Sequence, residues 1–484
     1  MIKDYYANVN VRARMLEFLG GNSPDNVTSV YITADDCSAD VRFAPRSPRS
    51  LWQYLDKGLD LGRSLWDHRS LIAHLDIEYV NFDSPAYPYL EPLRCFDLQR
   101  PVVHAIQEVL FGYGITPLHL LSGRGHHFAW QIDRRSPAFE SLAKIGRFPD
   151  SLVAKYAQLS TATSERVDSR LGAAFAGLGL VMEFVTHRVL EASVSQCAVP
   201  VMVTAVEAGP GVRGREVVSI DLSEYGDPLH TRGIRVPFST YLKPYQQRWL
   251  LGDVVDALPL MFMIPLHEND DRQGLFAMRD VGQVIELAQG GSVQIPDQSL
   301  ATESLIAEYN QSKLAHWHDY FYSAQHDPCD TWPRTYDRTP LKSLPPCARC
   351  ILEHPNERLL KPAGIQHVVR ILLAVGWHPR HIAGLIRSKY ERDFGWGGKW
   401  YYYDAATRAD FYVRLFAGLS ATGHDDLVDL NCRSCQEKRY CPGGWCSDNL
   451  LGFRDRLLAR RDKGEARFLD SKKAIADSPS QHED

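Results

Sequence analysis

From residue 71 to 80 the chain alternates apolar and polar side chains. Leu75, Ile77 and Tyr79 fall on one side of an extended backbone, His74, Asp76 and Glu78 on the other. The pattern predicts a half-buried strand whose polar face carries two acids. Similar runs predict strands over 117–121, 127–132, 201–206 and 217–222, with a helix over 102–111 between two of them. Residues 1–250 therefore read as one unit of mixed helix and strand, with mixed or antiparallel pairing. Residues 251–340 are more helical and read as a connector, closed by Ser343-Leu-Pro-Pro346. Over 341–452 helices dominate. Ile365, Val368, Val369 and Leu372 recur at helical spacing until Gly376, and Pro379 opens a second run with Ile382, Leu385, Ile386 and Tyr390 on one side. Residues 453–484 are charged, then rich in Ser, Pro and Asp, and read as a short helix and a disordered tail.

Composition narrows the class. A chain of 484 residues, 44% hydrophobic, is expected to form two or three domains. No run approaches the ~18–20 apolar residues of a membrane span, and Met1-Ile-Lys-Asp-Tyr-Tyr6 is no signal peptide. The expectation is a cytoplasmic protein with no membrane partner. Of ten cysteines, six fall between Cys347 and Cys446, which in that compartment reads as a metal site rather than disulfides. The net charge of −5 does not favour non-specific nucleic-acid binding. The excess of Lys and Arg over 341–450, 15 against 11 acids, permits a local phosphate-binding face. No internal repeat and no Walker-type phosphate loop is present, which excludes a helicase motor.

Three elements carry candidate chemistry. Asp76 and Glu78 repel each other unless cations sit between them, and such pairs hold divalent metals for phosphoryl transfer. Ser122-Gly-Arg-Gly-His-His127 joins two predicted strands. Its glycines permit close backbone approach to a ligand, and Ser122 and Arg124 offer donors to phosphates. His126 shares a face with the apolar residues of its strand and reads as structural, whereas His127 lies on the other face. Asp221, on the face opposite Ile220 and Leu222 of the strand predicted over 217–222, is available as a third carboxylate. The stretch Arg235-Val-Pro-Phe-Ser239-Thr-Tyr-Leu-Lys243 then supplies cations and a hydroxyl for phosphate or base contacts.

In this order the pieces resemble the archaeo-eukaryotic primase superfamily. Its members show an acidic pair on a strand, a Ser-Gly-x-Gly-x-His turn, then a lone Asp followed by Arg-x-Pro-x-Ser-x-x-x-Lys. The resemblance covers about residues 65–250 and implies an α+β fold, an RRM-like palm with a mixed sheet. It implies that Asp76, Glu78 and Asp221 bind two Mg²⁺ or Mn²⁺ and catalyse nucleotidyl transfer. Ser122, Arg124, His127, Arg235, Ser239 and Lys243 would bind the nucleotide.

The cysteines Cys347-Ala-Arg-Cys350 and Cys432-Arg-Ser-Cys435, with Cys441 and Cys446, suit zinc or iron–sulfur chemistry alike. Pro-Pro-Cys347, the helix pair after it and the late cluster resemble the C-terminal domain of the primase large subunit. That resemblance implies a [4Fe–4S] cluster on Cys347, Cys432, Cys441 and Cys446, with Zn²⁺ the alternative, and leaves Cys350 and Cys435 at positions usually apolar in that family. Arg370, Arg380, Arg387, Lys389 and Lys399 would meet phosphates, and Trp396, Trp400 and the tyrosines at 401–403 would stack bases. The whole chain then reads as a single-polypeptide DNA primase or primase-polymerase. Its partners would be a single-stranded DNA template, NTPs or dNTPs, and separately encoded helicase, replication or defence proteins. The alternatives are a primer-dependent repair or defence polymerase of the same superfamily, and a catalytically silent metal-containing nucleic-acid-binding module.

Overall fold

The structure, a computed structural model, describes residues 2–35, 45–158, 166–209, 215–266, 271–392, 394–396, 400, 403–443, 446 and 448–461. Lys399, the tyrosines at 401 and 402, and the tail beyond 461 lie outside the described residues. The chain divides into two compact units. The first comprises Met1–Ala208, Arg213–Ser312 and Gly397–Arg408, the second Gly209–Val212, Lys313–Trp396 and Ala409–Asp484. The stretch 251–340 is thus shared between them at Ser312.

The first unit is built on two sheets. The strands are β1 (Ile32–Asp35), β2 (Pro45–Arg46), β3 (Asp60–Ser64), β4 (Ser70–Asn81), β5 (Leu118–Leu121), β6 (Gly125–Asp133), β7 (Val201–Val203), β8 (Glu216–Asp221), β9 (Gly233–Arg235) and β10 (Ile264–Pro265). The larger sheet has the order β10-β5-β6-β4-β8-β7. Its pairs are antiparallel except β7 with β8, which are parallel, so the sheet is mixed and the class is α+β. The smaller sheet, β2-β1-β3-β9, is antiparallel. Its strands are short and interrupted by Gly62 and arginines, so they lack the alternation that would announce them in the sequence.

Alternation in β4 has the expected outcome. Leu71, Leu75, Ile77 and Tyr79 are fully buried, with the helix Pro92–Gly112 packed on β4 and offering Phe96, Val102 and Ile106. A second helix, Ser169–Ser193, is buried almost all round because its sequence is apolar on every face. Gly177 in it meets the Leu142 carbonyl so closely that a Cβ would overlap it. Among the described residues this is the one stretch long and apolar enough to cross a membrane, and 83% of its apolar window is buried inside the protein.

The second unit is helical. Pro346–Glu353, Pro362–Ala374 and Pro379–Tyr390 each begin on proline, whose fixed φ and missing N–H suit a first helical position. Gly376, at φ +99°, breaks the chain between the last two. Arg370, a sequence candidate for phosphate contact, is buried and paired with Asp425 and with Asp429 at 2.7 Å. Arg380 pairs with Asp410 and Arg387 with Glu391, while Lys389 and Trp396 are buried. Arg370 and Arg380 link separate segments through these acids, whereas Arg387 pairs one turn along its own helix; the covered Arg370, Lys389 and Trp396 correct their reading as a nucleic-acid surface. Trp400 and Tyr403 belong to the first unit, where the carbonyl of each accepts from Lys155.

Candidate active site and metal centre

Strand register assembles the acids. Asp76 on β4 lies directly opposite Asp221 on β8 and opposite His127 on β6; Glu78 lies opposite Ser219 and Gly125. Directly paired residues share a face with side chains ~5 Å apart. Asp76, Glu78, Asp221 and His127 therefore converge on one face of the sheet, opposite the apolar face of β4.

The acids differ in their partners. Glu78 receives the Arg124 guanidinium on Oε2 and Lys243 Nζ on Oε1, the latter at 2.6 Å. Burial pushes Glu78 up, but the two cations win and hold it well below the usual carboxylate range. Asp221 accepts from the Ser223 amide (2.8 Å) and hydroxyl (3.1 Å). Asp76 is the exception. Its Oδ1 is buried without a hydrogen bond, with His127 Nδ1 3.5 Å away. Burial, then the charge on Glu78, raise its pKa well above the usual value, against the pull of Lys243 and His74. A buried carboxylate oxygen left without a donor, between two other acids, fits a cation.

His127 also meets His74. His74 Nε2 is 3.0 Å from His127 Nδ1, and His74 Nδ1 is 2.9 Å from Glu224 Oε2. Burial, and then the charge of His74, push His127 well below its ordinary pKa. Sequence reasoning placed His74 on the acidic face but gave it no role, and missed Glu224. The available signal was the position of His74 two residues before Asp76 on the same face.

Other predicted residues sit differently. The hydroxyls of Ser122 and Ser239 are fully buried and donate to the carbonyls of Gly125 (3.2 Å) and Val236 (2.6 Å), so each closes a turn. Arg235 pairs with Asp60 and lies over the Tyr241 ring, 4.7 Å from its centroid. The glycines of the turn answer neighbours rather than a ligand. A Cβ on Gly125 would collide with the Ile77 carbonyl, and one on Gly123 would lie 2.6 Å from the Tyr241 ring. His126 is buried beside Phe96, its Nδ1 2.9 Å from His119 Nε2.

In the second unit three helices bring Cys347, His367 and Cys435 together, all buried, with ligand atoms within 4.8 Å of one another. Cys347 Sγ is 3.2 Å from His367 Nε2, and Cys435 Sγ is 3.8 Å from His367 Nδ1. A bond from the Cys435 thiol, with His367 alongside, lowers Cys347 to about 5 despite burial. This cluster could hold a metal ion. Its members differ from the set expected from sequence. Cys432, one turn before Cys435 on the helix Cys432–Glu437, is exposed. Cys441 and Cys446 are half-buried; the Cys441 amide donates to the Cys435 carbonyl (3.2 Å), and Cys446 Sγ accepts from the Asp448 amide (3.3 Å). The choice of Cys432 over Cys435 could not be made from spacing, because residues three apart share a helix face and packing decides which is covered. His367 was missed because it sits between Gln366 and Arg370 in an otherwise apolar helix, with no cysteine nearby in sequence.

No family model, curated protein or solved structure matches this chain. The functional reading therefore stands on the residues and their geometry.

Proposed function

We propose that this chain is a metal-dependent nucleotidyltransferase of the archaeo-eukaryotic primase type, making primers on single-stranded DNA. One observation carries the reading: three carboxylates from two paired strands share a face, and the central one, Asp76, keeps a buried oxygen without a donor. Asp76, Glu78 and Asp221 would hold two divalent cations. Such metals activate the attacking 3′-hydroxyl and offset charge on the departing pyrophosphate. Arg124 and Lys243 neutralise Glu78 in the nucleotide-free protein and can turn to a triphosphate once that acid has other cations. His127 stands beside Asp76 to meet a phosphate oxygen.

For the second unit, we assign the metal centre to Cys347 and Cys435. Joined by Cys441 and Cys446, whose thiols lie outside that close group, they would make the four-thiolate set that a [4Fe–4S] cluster needs. The contact of Cys347 with His367 favours the second reading, one Zn²⁺ on Cys347, His367 and Cys435. Metal and sulfide analysis of anaerobically purified protein decides between them.

The test of function is primer synthesis on unprimed single-stranded DNA with labelled NTPs or dNTPs and Mg²⁺ or Mn²⁺, beside Asp76→Ala/Glu78→Ala. Products that vanish in the variant are expected. Extension only from a supplied primer would move the protein to the primer-dependent polymerase reading. Silence in both assays would sink the catalytic assignment and leave a nucleic-acid-binding module.

A further inference from the structure

Strand β8 stops at Asp221, opposite Asp76, while β4 begins six residues earlier, at Ser70. The backbone of His74 therefore has no β8 partner. The hydroxyl of Tyr225 takes that place: the His74 amide donates to it (3.1 Å) and it donates to the His74 carbonyl (2.8 Å). The same turn, Ser223–Gly226, sends Glu224 to the His74 ring. One short segment following Asp221 thus fixes both backbone and side chain of His74.

The His74 ring is 4% exposed as part of its residue and lies nearly parallel to that of His127, 12° apart with centroids 5.2 Å apart. A carboxylate only accepts, so the Nδ1 of His74 that faces Glu224 carries a hydrogen. Its Nε2 faces His127 Nδ1, which is also the nitrogen near Asp76. With Nδ1 so engaged, Nε2 is the His127 nitrogen left to meet a ligand. A carboxylate behind a histidine behind the residue that touches the ligand is how sites fix ring orientation and proton position.

We propose that His74, held by Glu224 and Tyr225, is a positioning residue that orients His127 so that its Nε2 meets a phosphate oxygen of a bound nucleoside triphosphate. The inference rests on the nucleotidyltransferase reading and adds a specific buried support to it. It acts on nucleotide grip through its direct contact with His127; on the metal site it exerts only a through-space pull on Asp76 and Asp221.

The test is calorimetric binding of a non-hydrolysable nucleoside triphosphate in the presence of Mg²⁺, with Mn²⁺ binding followed separately by electron paramagnetic resonance. His74→Leu keeps volume and removes both ring nitrogens; triphosphate affinity should fall about tenfold or more, with Mn²⁺ affinity not reduced, since the ring's pull on Asp76 does not favour a cation there. His74→Gln keeps an amide to meet His127 Nδ1 and should stay within about threefold of wild type. His74→Leu combined with His127→Gln should bind no more weakly than His127→Gln alone, since the first residue acts through the second. Unchanged binding by His74→Leu, equal losses for Leu and Gln, or additive losses in the double variant would each overturn the proposal while leaving the nucleotidyltransferase reading intact. A wild-type protein that binds no triphosphate would overturn both.

Discussion

Asp76 is the residue at which stability and function pull apart. Its carboxylate is partly enclosed, faces Glu78 and Asp221, and has an oxygen without a donor. Its folded pKa lies above the ordinary value, so at neutral pH its charge opposes folding. Asp76→Asn should therefore stabilise the metal-free protein by on the order of 1 kcal/mol, read as a raised Tm. The same variant should lose the Mg²⁺-dependent rise in Tm and all primer synthesis. A lower Tm for the variant would show that the acid is satisfied in solution. Glu78 behaves in the opposite sense, since Arg124 and Lys243 occupy its oxygens. Lys243→Gln should free one of them and tighten Mn²⁺ binding without nucleotide, while weakening triphosphate binding about tenfold, the worth of one charge-assisted bond. Loss of both affinities would place Lys243 in the framework instead.

At the scale of elements, the turn between β5 and β6 shows how a motif can be legible while its cause is not. The glycine spacing in Ser122–His127 was plain in the sequence, and a ligand was its expected reason. The structure gives another: Gly125 passes against the Ile77 carbonyl of β4, and Gly123 against Tyr241. These contacts bring Arg124 to Glu78. Gly125→Ala should cost about 1–3 kcal/mol through forced displacement of β4, seen as a lower urea midpoint. Gly112→Ala, where an added Cβ meets nothing within 4 Å, should show no such loss. Equal midpoints for the two variants would mean the strands yield freely at Gly125.

At the scale of the whole chain, both units enclose paired charges, Arg63 with Asp67 in the first and Arg370 with its acids in the second. The first gathers acids at a partly open face. The second encloses Arg370 with Asp425, Asp429 and, through Asp429, Lys438. Burial raises Asp429, but Arg370 and Lys438 pull it well below the carboxylate range. A folded value below the unfolded one gives stability that is complete above the ordinary value of ~3.9 and lost as pH falls through the folded value. This contribution should thus hold from neutrality to about pH 4 and decline below it, in acid-titrated unfolding. Arg370→Ala strands two acids and should cost about 3–5 kcal/mol. A loss below about 1 kcal/mol, the size of an exposed pair, would return Arg370 to the surface role expected from sequence.

The sequence by itself determined what is local. Alternation in 71–80 put His74, Asp76 and Glu78 on one face, because side chains along a strand point alternately to opposite sides. Proline and glycine set the ends of the helices around Gly376. Tertiary structure decided everything that depends on register and closure. Asp221 opposes Asp76 across paired strands, and Lys243 reaches Glu78 from 165 residues away. Glu224 and Tyr225 reach His74 only because β8 ends where it does, and packing covers Cys435 while exposing Cys432. Spacing along a chain fixes which face a residue takes; which distant face it meets is settled by how the strands pair and the helices pack.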